Sequence, residues 1–190
     1  MGSPPPAVLM LPGAAPASAE LRALLGAERT GRLEEVLVRR AMRWASELSP
    51  GAVHVAADDE GFDAAVRRVS AGSAGAALLV VWPTLPRWGP EHAEGVLDDL
   101  ASGCEVSVGP VFDGGLYLLA LTRVLPSLFE LPSEAWDSPD ALGRVLGAIN
   151  ADGAPVGLLR AERGLRRPGD VRAALADPLL DDELRTLLAG

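Results

Sequence analysis

Apolar positions fall along this chain in two rhythms. Short, largely apolar runs occupy residues 7–11, 52–57, 76–82, 105–108, 116–121 and 155–159. Each is too short for a helix and most have glycine, proline or an acid at a boundary, so each predicts a strand. Between them the spacing changes. In 31–48, Leu33, Val36, Leu37, Arg40, Ala41 and Trp44 recur at helical intervals, with Glu34, Glu35, Arg39 and Arg43 elsewhere. That spacing predicts an amphipathic helix ended by Ser49-Pro50-Gly51. Further helices are predicted over 19–25, 60–70, 90–102, 124–129, 138–149, 168–176 and 179–188. Asp58 or Asp59 is read as the cap of the helix over 60–70, and Ser138 as an N-cap with Pro139 at the first helical position.

Strands alternating with helices over most of the length predict an α/β domain of three layers. Residues 76–82 are apolar throughout, which suits a central strand covered on both faces. The strands at 105–108 and 116–121 are close enough in sequence to pair antiparallel. Asp113-Gly114-Gly115 lies between them, and this is turn chemistry, because glycine accepts positive φ and aspartate bonds its own backbone further on. Two glycines beside an acid also leave a backbone that a ligand can approach. Residues 1–6 read as a disordered N-terminus and 7–190 as one domain.

Composition narrows the function classes. No apolar run has the length of a membrane span, and the N-terminus has no signal-peptide pattern. The single cysteine, Cys104, excludes an internal disulfide and agrees with a cytoplasmic setting; its simplest role is a small apolar strand residue. Net charge is −9 with dispersed acids, which argues against a nucleic-acid partner. All 17 basic residues are arginine, so Schiff-base and P-loop lysine chemistry are excluded. His54, within a strand, and His92, within a helix, have no partner acids at metal spacing and read as structural. Trp82 and Trp88 read as core packing, with base stacking the alternative for Trp88.

Three segments together carry a resemblance. Gly109, Pro110, Asp113, Gly114, Gly115, Tyr117, Leu118 and Leu121 match the Gly-Pro-x-x-Asp-Gly-Gly-Tyr-Tyr-Leu-Ile-Gly-Leu segment of the DUF2064 family. Trp136-Asp137-Ser138-Pro139-Asp140-Ala141-Leu142 is similar to that family's Trp-Ser-Thr-Pro-Asp-Val-Leu, and Pro83-Thr84-Leu85 falls where it carries Asp-Cys-Pro-x-Leu. The family comprises CofC-like and MobA-like proteins. The resemblance implies a nucleotide-diphospho-sugar transferase (GT-A) fold with a mixed, mostly parallel sheet, and binding of a nucleotide or nucleotide sugar at the sheet's C-terminal edge. It implies glycosyl or nucleotidyl transfer assisted by Mg²⁺ or Mn²⁺, with Asp113 in the acceptor or sugar region.

The departures coincide with the phosphate and metal positions. Ser18 and Glu20 stand where the family has cations, and Arg22 is the nearest substitute, turned to another helix face. Val81 and Trp82 replace a metal-binding acid, and Arg166 and Arg167 replace acids near the C-terminus. Of that last motif Asp170 survives, and it reads as a helix-start residue. Mg²⁺ needs carboxylate oxygens, so no metal site and no cofactor is expected, and no catalytic residue is assigned. The expectation is a transferase-like pseudoenzyme retaining nucleotide or sugar binding through Asp113, Gly114, Gly115, Arg22, Arg166 and Arg167. The alternative is an active, metal-independent transferase whose arginines, Arg163, Arg166 and Arg167, stabilise the diphosphate. A protein partner or homo-oligomer that supplies the missing groups is a third expectation.

Overall fold

The structure, a computed structural model, describes residues 4–13, 16–57, 60–73, 75–136 and 138–189. Among these residues six strands form one sheet: β1 (Ala7–Met10), β2 (Val53–Val55), β3 (Leu78–Val81), β4 (Val106–Pro110), β5 (Leu116–Leu121) and β6 (Val156–Leu158). Their order across the sheet is β2-β1-β3-β5-β4-β6. β5 runs antiparallel to both of its neighbours, while β1–β2, β1–β3 and β4–β6 pair parallel. The mixed, mostly parallel sheet and the α/β class are therefore as the alternation predicts. β1, β3, β4 and β5 are buried at every position, which explains why β1, β3 and β5 carry no polar alternation.

Helices cover both faces. On one face β1, β3, β4 and β5 pack Leu9, Val80, Trp82, Val108 and Leu119 with α3 (Phe62–Gly72), α5 (Pro126–Phe129), α6 (Ser133–Trp136) and α7 (Ala141–Ala151). On the other, Val8, Met10, Val81, Tyr117 and Leu118 meet α2 (Ala27–Leu48) and α4 (Pro90–Ala101). A third cluster joins α1 (Ala19–Leu25) and α2 to α8 (Pro168–Ala176) and α9 (Asp182–Ala189). Pro6 is already buried as the chain enters β1.

Several boundaries differ from the expectation, each for a local reason. α2 begins at Ala27 rather than residue 31; Gly26, at φ +80°, closes α1 and opens α2. Thr30 is tolerated within α2 because its buried hydroxyl donates to the Gly26 carbonyl at 2.8 Å. α7 begins at Ala141 with Asp140 at its N-cap, so Ser138 is not the cap. The Ser138 hydroxyl instead donates to the Ala135 carbonyl at 3.0 Å, closing the turn after α6, a helix that the apolar spacing did not predict. α9 starts at Asp182, not 179, because the Asp181 carboxylate accepts from Leu184 N–H. Asp58 and Asp59, read as caps, lie outside the described residues. Cys104 is half-buried in the turn before β4, not inside the strand.

The β4–β5 hairpin explains most of the glycine-rich motif. A Cβ on Gly109 would meet the Tyr117 ring at 2.5 Å, so only glycine lets that ring cross β4. The ladder is irregular at Gly109/Pro110, where the strand bends towards the turn.

Candidate functional site

The carboxyl ends of β1, β3, β4 and β6 lie along one edge of the sheet, together with the turn that leads into the antiparallel β5. In open α/β sheets this is the edge where ligands bind. Asp113 stands there. Val111 N–H donates to the Gly115 carbonyl and Gly114 N–H to the Val111 carbonyl, which ties the turn to itself. Gly114 has φ +91°, and a Cβ there would lie 1.8 Å from the Pro139 carbonyl oxygen. The Asp113 carboxylate accepts Gly115 N–H at 3.1 Å, the self-bonding expected of aspartate in such a turn.

The C-terminal segment delivers the cations. After β6 the chain returns along this edge: Glu162 N–H donates to the Pro110 carbonyl, Phe112 N–H to the Glu162 carbonyl, and Leu165 N–H to the Thr84 carbonyl. Arg166 Nη1 lies 3.5 Å and Arg167 Nε 3.6 Å from Asp113 Oδ2. The Asp113 and Arg166 side chains are mostly enclosed, at 11% and 13% exposure, whereas Arg167 is half exposed. Arg163 places its guanidinium 5.3 Å from the exposed Phe112 ring and 3.2 Å from Asp170. Asp170 itself accepts Arg167 N–H at 2.9 Å and Arg166 N–H at 3.3 Å, so it caps the start of α8 and fixes where both arginines leave the backbone.

The predicted site residues therefore divide. Asp113, Gly114, Gly115, Arg166 and Arg167 come together. Arg22 does not join them: it sits on α1, largely exposed, with Glu34 at 4.0 Å. Ser18 caps α1 by accepting Leu21 N–H at 3.1 Å, and its own N–H donates to the Arg166 carbonyl. The Glu20 carboxyl is held below the usual carboxylate range, chiefly by its own backbone N–H, then by the Ser18 hydroxyl and last by the charge of Arg167.

Behind the edge the two tryptophans are packed. Trp82 is 1% exposed and stacks with Trp136 and Phe62. Trp88 lies 4.7 Å from the Trp44 ring and edge-on to Tyr117, on the α2/α4 face. Burial, aided by Glu162, pushes the Tyr117 phenol above its ordinary range, so it stays neutral and donates to the Arg160 carbonyl at 3.3 Å. Among the described residues no three His, Cys, Asp or Glu side chains are placed to hold a metal ion. No helix among them is long and apolar enough to cross a membrane. The apolar spacing did not predict the cation–π contact at Phe112, nor the clamp formed by Arg40 with Asp181 and Glu183. The clamp's signal was an arginine inside the apolar stripe of α2.

These features define a doubly wound α/β domain of nucleotide-diphospho-sugar transferase fold, with an acid and two arginines at the ligand edge. The chain superposes on a provisionally assigned nucleotide-diphospho-sugar transferase from Desulfovibrio desulfuricans with a TM-score of 0.66 at 14% identity, covering 98% of this chain and 94% of that one. A 2-C-methyl-D-erythritol 4-phosphate cytidylyltransferase from Thermus thermophilus aligns more loosely, at TM-score 0.41 and 20% identity over 97% and 100% of the two chains; the fold assignment rests on the first alone. No protein-family model and no curated protein matches the sequence.

Proposed function

We propose that this chain is a transferase-like protein of the DUF2064 type that has lost standard metal-dependent catalysis and binds a nucleotide or nucleotide sugar at the Asp113 edge. One observation carries the reading: the Asp113 carboxylate faces two guanidiniums, Arg166 and Arg167, which stand where the resembling family carries acids. A diphosphate entering here meets Arg167 first, because that side chain is half exposed, while Arg166 lies deeper. Guanidinium binds phosphate oxygens bidentately and needs no metal to do so. Phe112, exposed beside Arg163, offers an apolar surface to the rest of the ligand.

Calorimetric titration with nucleoside diphosphates, nucleoside triphosphates and nucleotide sugars, in EDTA and again with Mg²⁺ or Mn²⁺, tests this. The expected result is binding of at least one nucleotide that EDTA does not weaken, with no release of sugar or pyrophosphate. Turnover in EDTA supports the second reading, an arginine-assisted transferase, which the approach of both Arg166 and Arg167 to Asp113 favours. No binding at millimolar ligand, or turnover that requires metal, overturns both.

A further inference from the structure

The two edges of the sheet are finished differently. β2 forms one edge and β6 the other. At β2, Val8 N–H donates to the Ala52 carbonyl and Ala56 N–H to the Met10 carbonyl. By alternation the backbone groups of Val53 and Val55 face outwards. Arg68 stands at that edge, its Nη2 3.5 Å from the Val55 carbonyl oxygen and 2.7 Å from Glu60. A charged pair at an open edge discourages another strand from adding there.

β6 carries no such guard. The Pro155 carbonyl accepts Glu105 N–H and Val106 N–H, and Leu159 N–H donates to the Val108 carbonyl. The N–H and C=O groups of Val156 and Leu158 therefore point away from β4, where no described strand pairs with them. Residues 153–159, Gly-Ala-Pro-Val-Gly-Leu-Leu, carry no charge. Gly157 is turned towards α4, since a Cβ on it would collide with the Asp99 carboxylate. Val156 and Leu158 lie on the opposite face, beside Val106 and Val108, and are 39% and 58% exposed. An uncharged edge with open backbone groups and two exposed apolar side chains is built to receive a strand.

We propose that the strand it receives is β6 of a second copy of this chain, paired antiparallel about a two-fold axis at Gly157. Val156 of one copy then faces Leu158 of the other, and the two exchange both backbone bonds; the symmetric pair does the same. No outward-facing group of β6 is left over, and the four apolar side chains meet on one face as cross-strand neighbours. The flanking charges favour this orientation. Asp152 precedes β6 and the largely exposed Arg160 follows it, so antiparallel pairing sets the Arg160 end of one copy beside the Asp152 end of the other. The assignment does not depend on the nucleotide reading, and its test uses no nucleotide.

Sedimentation equilibrium of the full chain tests it. Salt of ~0.3 M screens the repulsion between two copies of net charge −9 and between the Asp99 carboxylates near the axis. The expected result is a monomer–dimer equilibrium with a dissociation constant of ~10–100 μM, because so short an edge buries less than the ~1,200 Å² of a standard interface. Val156→Lys and Leu158→Glu, both at exposed positions, should each weaken it at least ~10-fold. Mixed together, the two variants should associate more tightly than either does alone, because the register sets the new cation opposite the new acid. In the parent, amide exchange at Val156 and Leu158 should slow as protein concentration rises, while Val53 and Val55 are unchanged. A parent that stays monomeric to ~1 mM overturns the proposal. So does a dimer that both variants leave intact, a mixture no tighter than its components, or protection that grows at Val53 and Val55 instead.

Discussion

Two arginine–carboxylate clusters hold this chain together near the ligand edge, and they are built to different tolerances. In the first, Arg40 donates to both oxygens of Asp181 at 2.6 and 2.8 Å, to Glu183 at 2.9 Å and to the Pro86 carbonyl at 2.9 Å; Arg39 also reaches Glu183. In the second, Arg166 and Arg167 stand 3.5 and 3.6 Å from one oxygen of Asp113. In the first, every Arg40 contact lies at ordinary hydrogen-bond distance, and together they tie α2 to the loop after β3 and to α9. The second has opposite charges at distances where Coulomb attraction persists but the bonds are weak. On the proposed reading, identical chemistry makes a clamp in one place and a receptive surface in the other, and an incoming phosphate with bidentate geometry should compete poorly at Arg40 and well at Arg167.

The largest expected effect comes from breaking the frame of the receptive cluster without touching a charge. Gly114→Ala forces φ +91° on a residue with a Cβ and drives that atom to within 1.8 Å of the Pro139 carbonyl. A loss of about 3 kcal/mol is expected in urea unfolding, the sum of strain and clash. If the variant is as stable as the parent, the hairpin is not rigid and the long Asp113 contacts say nothing about function. On the clamp side, Arg40→Ala removes a mostly buried guanidinium and leaves the Pro86 carbonyl without that donor. About 2 kcal/mol of destabilisation is expected, with nucleotide affinity unchanged. An affinity loss in Arg40→Ala as large as that at the receptive cluster would erase the distinction between them.

How much of this was legible beforehand follows from the same contrast. The strands were readable because buried runs such as 76–82 and 116–121 admit no polar residue beyond the Tyr117 hydroxyl, and Asp113-Gly114-Gly115 was readable because a left-handed turn demands glycine. Arg166 and Arg167 could be proposed as site residues only through their position in a resembling motif; their approach to Asp113 depends on a backbone path set by Glu162–Pro110 and Leu165–Thr84 bonds, far apart in sequence. Arg22 illustrates the converse, since being near in sequence to the β1 loop did not bring it to the site. The clamp was half visible: Arg40 in an apolar stripe signals a buried stem, but Asp181 and Glu183 lie beyond any local pattern. The α7 cap failed for a similar reason. Ser138-Pro139 carries a strong cap signature, yet α6 took Ser138 for its own closing turn.

The receptive cluster is sharpened by its exposed member. Arg167→Gln changes a half-exposed side chain, so stability should stay within about 0.5 kcal/mol. Affinity for the best-binding nucleotide in EDTA should fall ~10-fold, about 1.4 kcal/mol, read by calorimetry. The paired measurement is salt dependence: raising ionic strength should weaken nucleotide binding in the parent more than in the variant, because one screened contact has been removed. Equal affinity for parent and variant would place the ligand elsewhere.

The smallest effect concerns the clamp in acid. Hydrogen bonds from Arg40, the largest cause, followed by the Leu184 N–H and the Arg40 charge, hold the Asp181 carboxyl at about 2, against an ordinary 3.8. A depressed folded-state value means that the contribution is complete above the ordinary value and disappears as pH falls through the folded one. The window is therefore from about pH 4 down to about pH 2. Asp181 is nearly half exposed, so solvent screening limits the stake to about 1 kcal/mol or less. Comparing the parent with Asp181→Asn isolates it, because acid effects elsewhere are common to both chains. Urea midpoints should differ at neutral pH, with the parent more stable, and should converge as the pH drops through that window. A gap that stays constant to the bottom of it would mean that the Arg40–Asp181 bonds are no tighter in solution than those at Asp113, and the two clusters would then have to be treated as one kind.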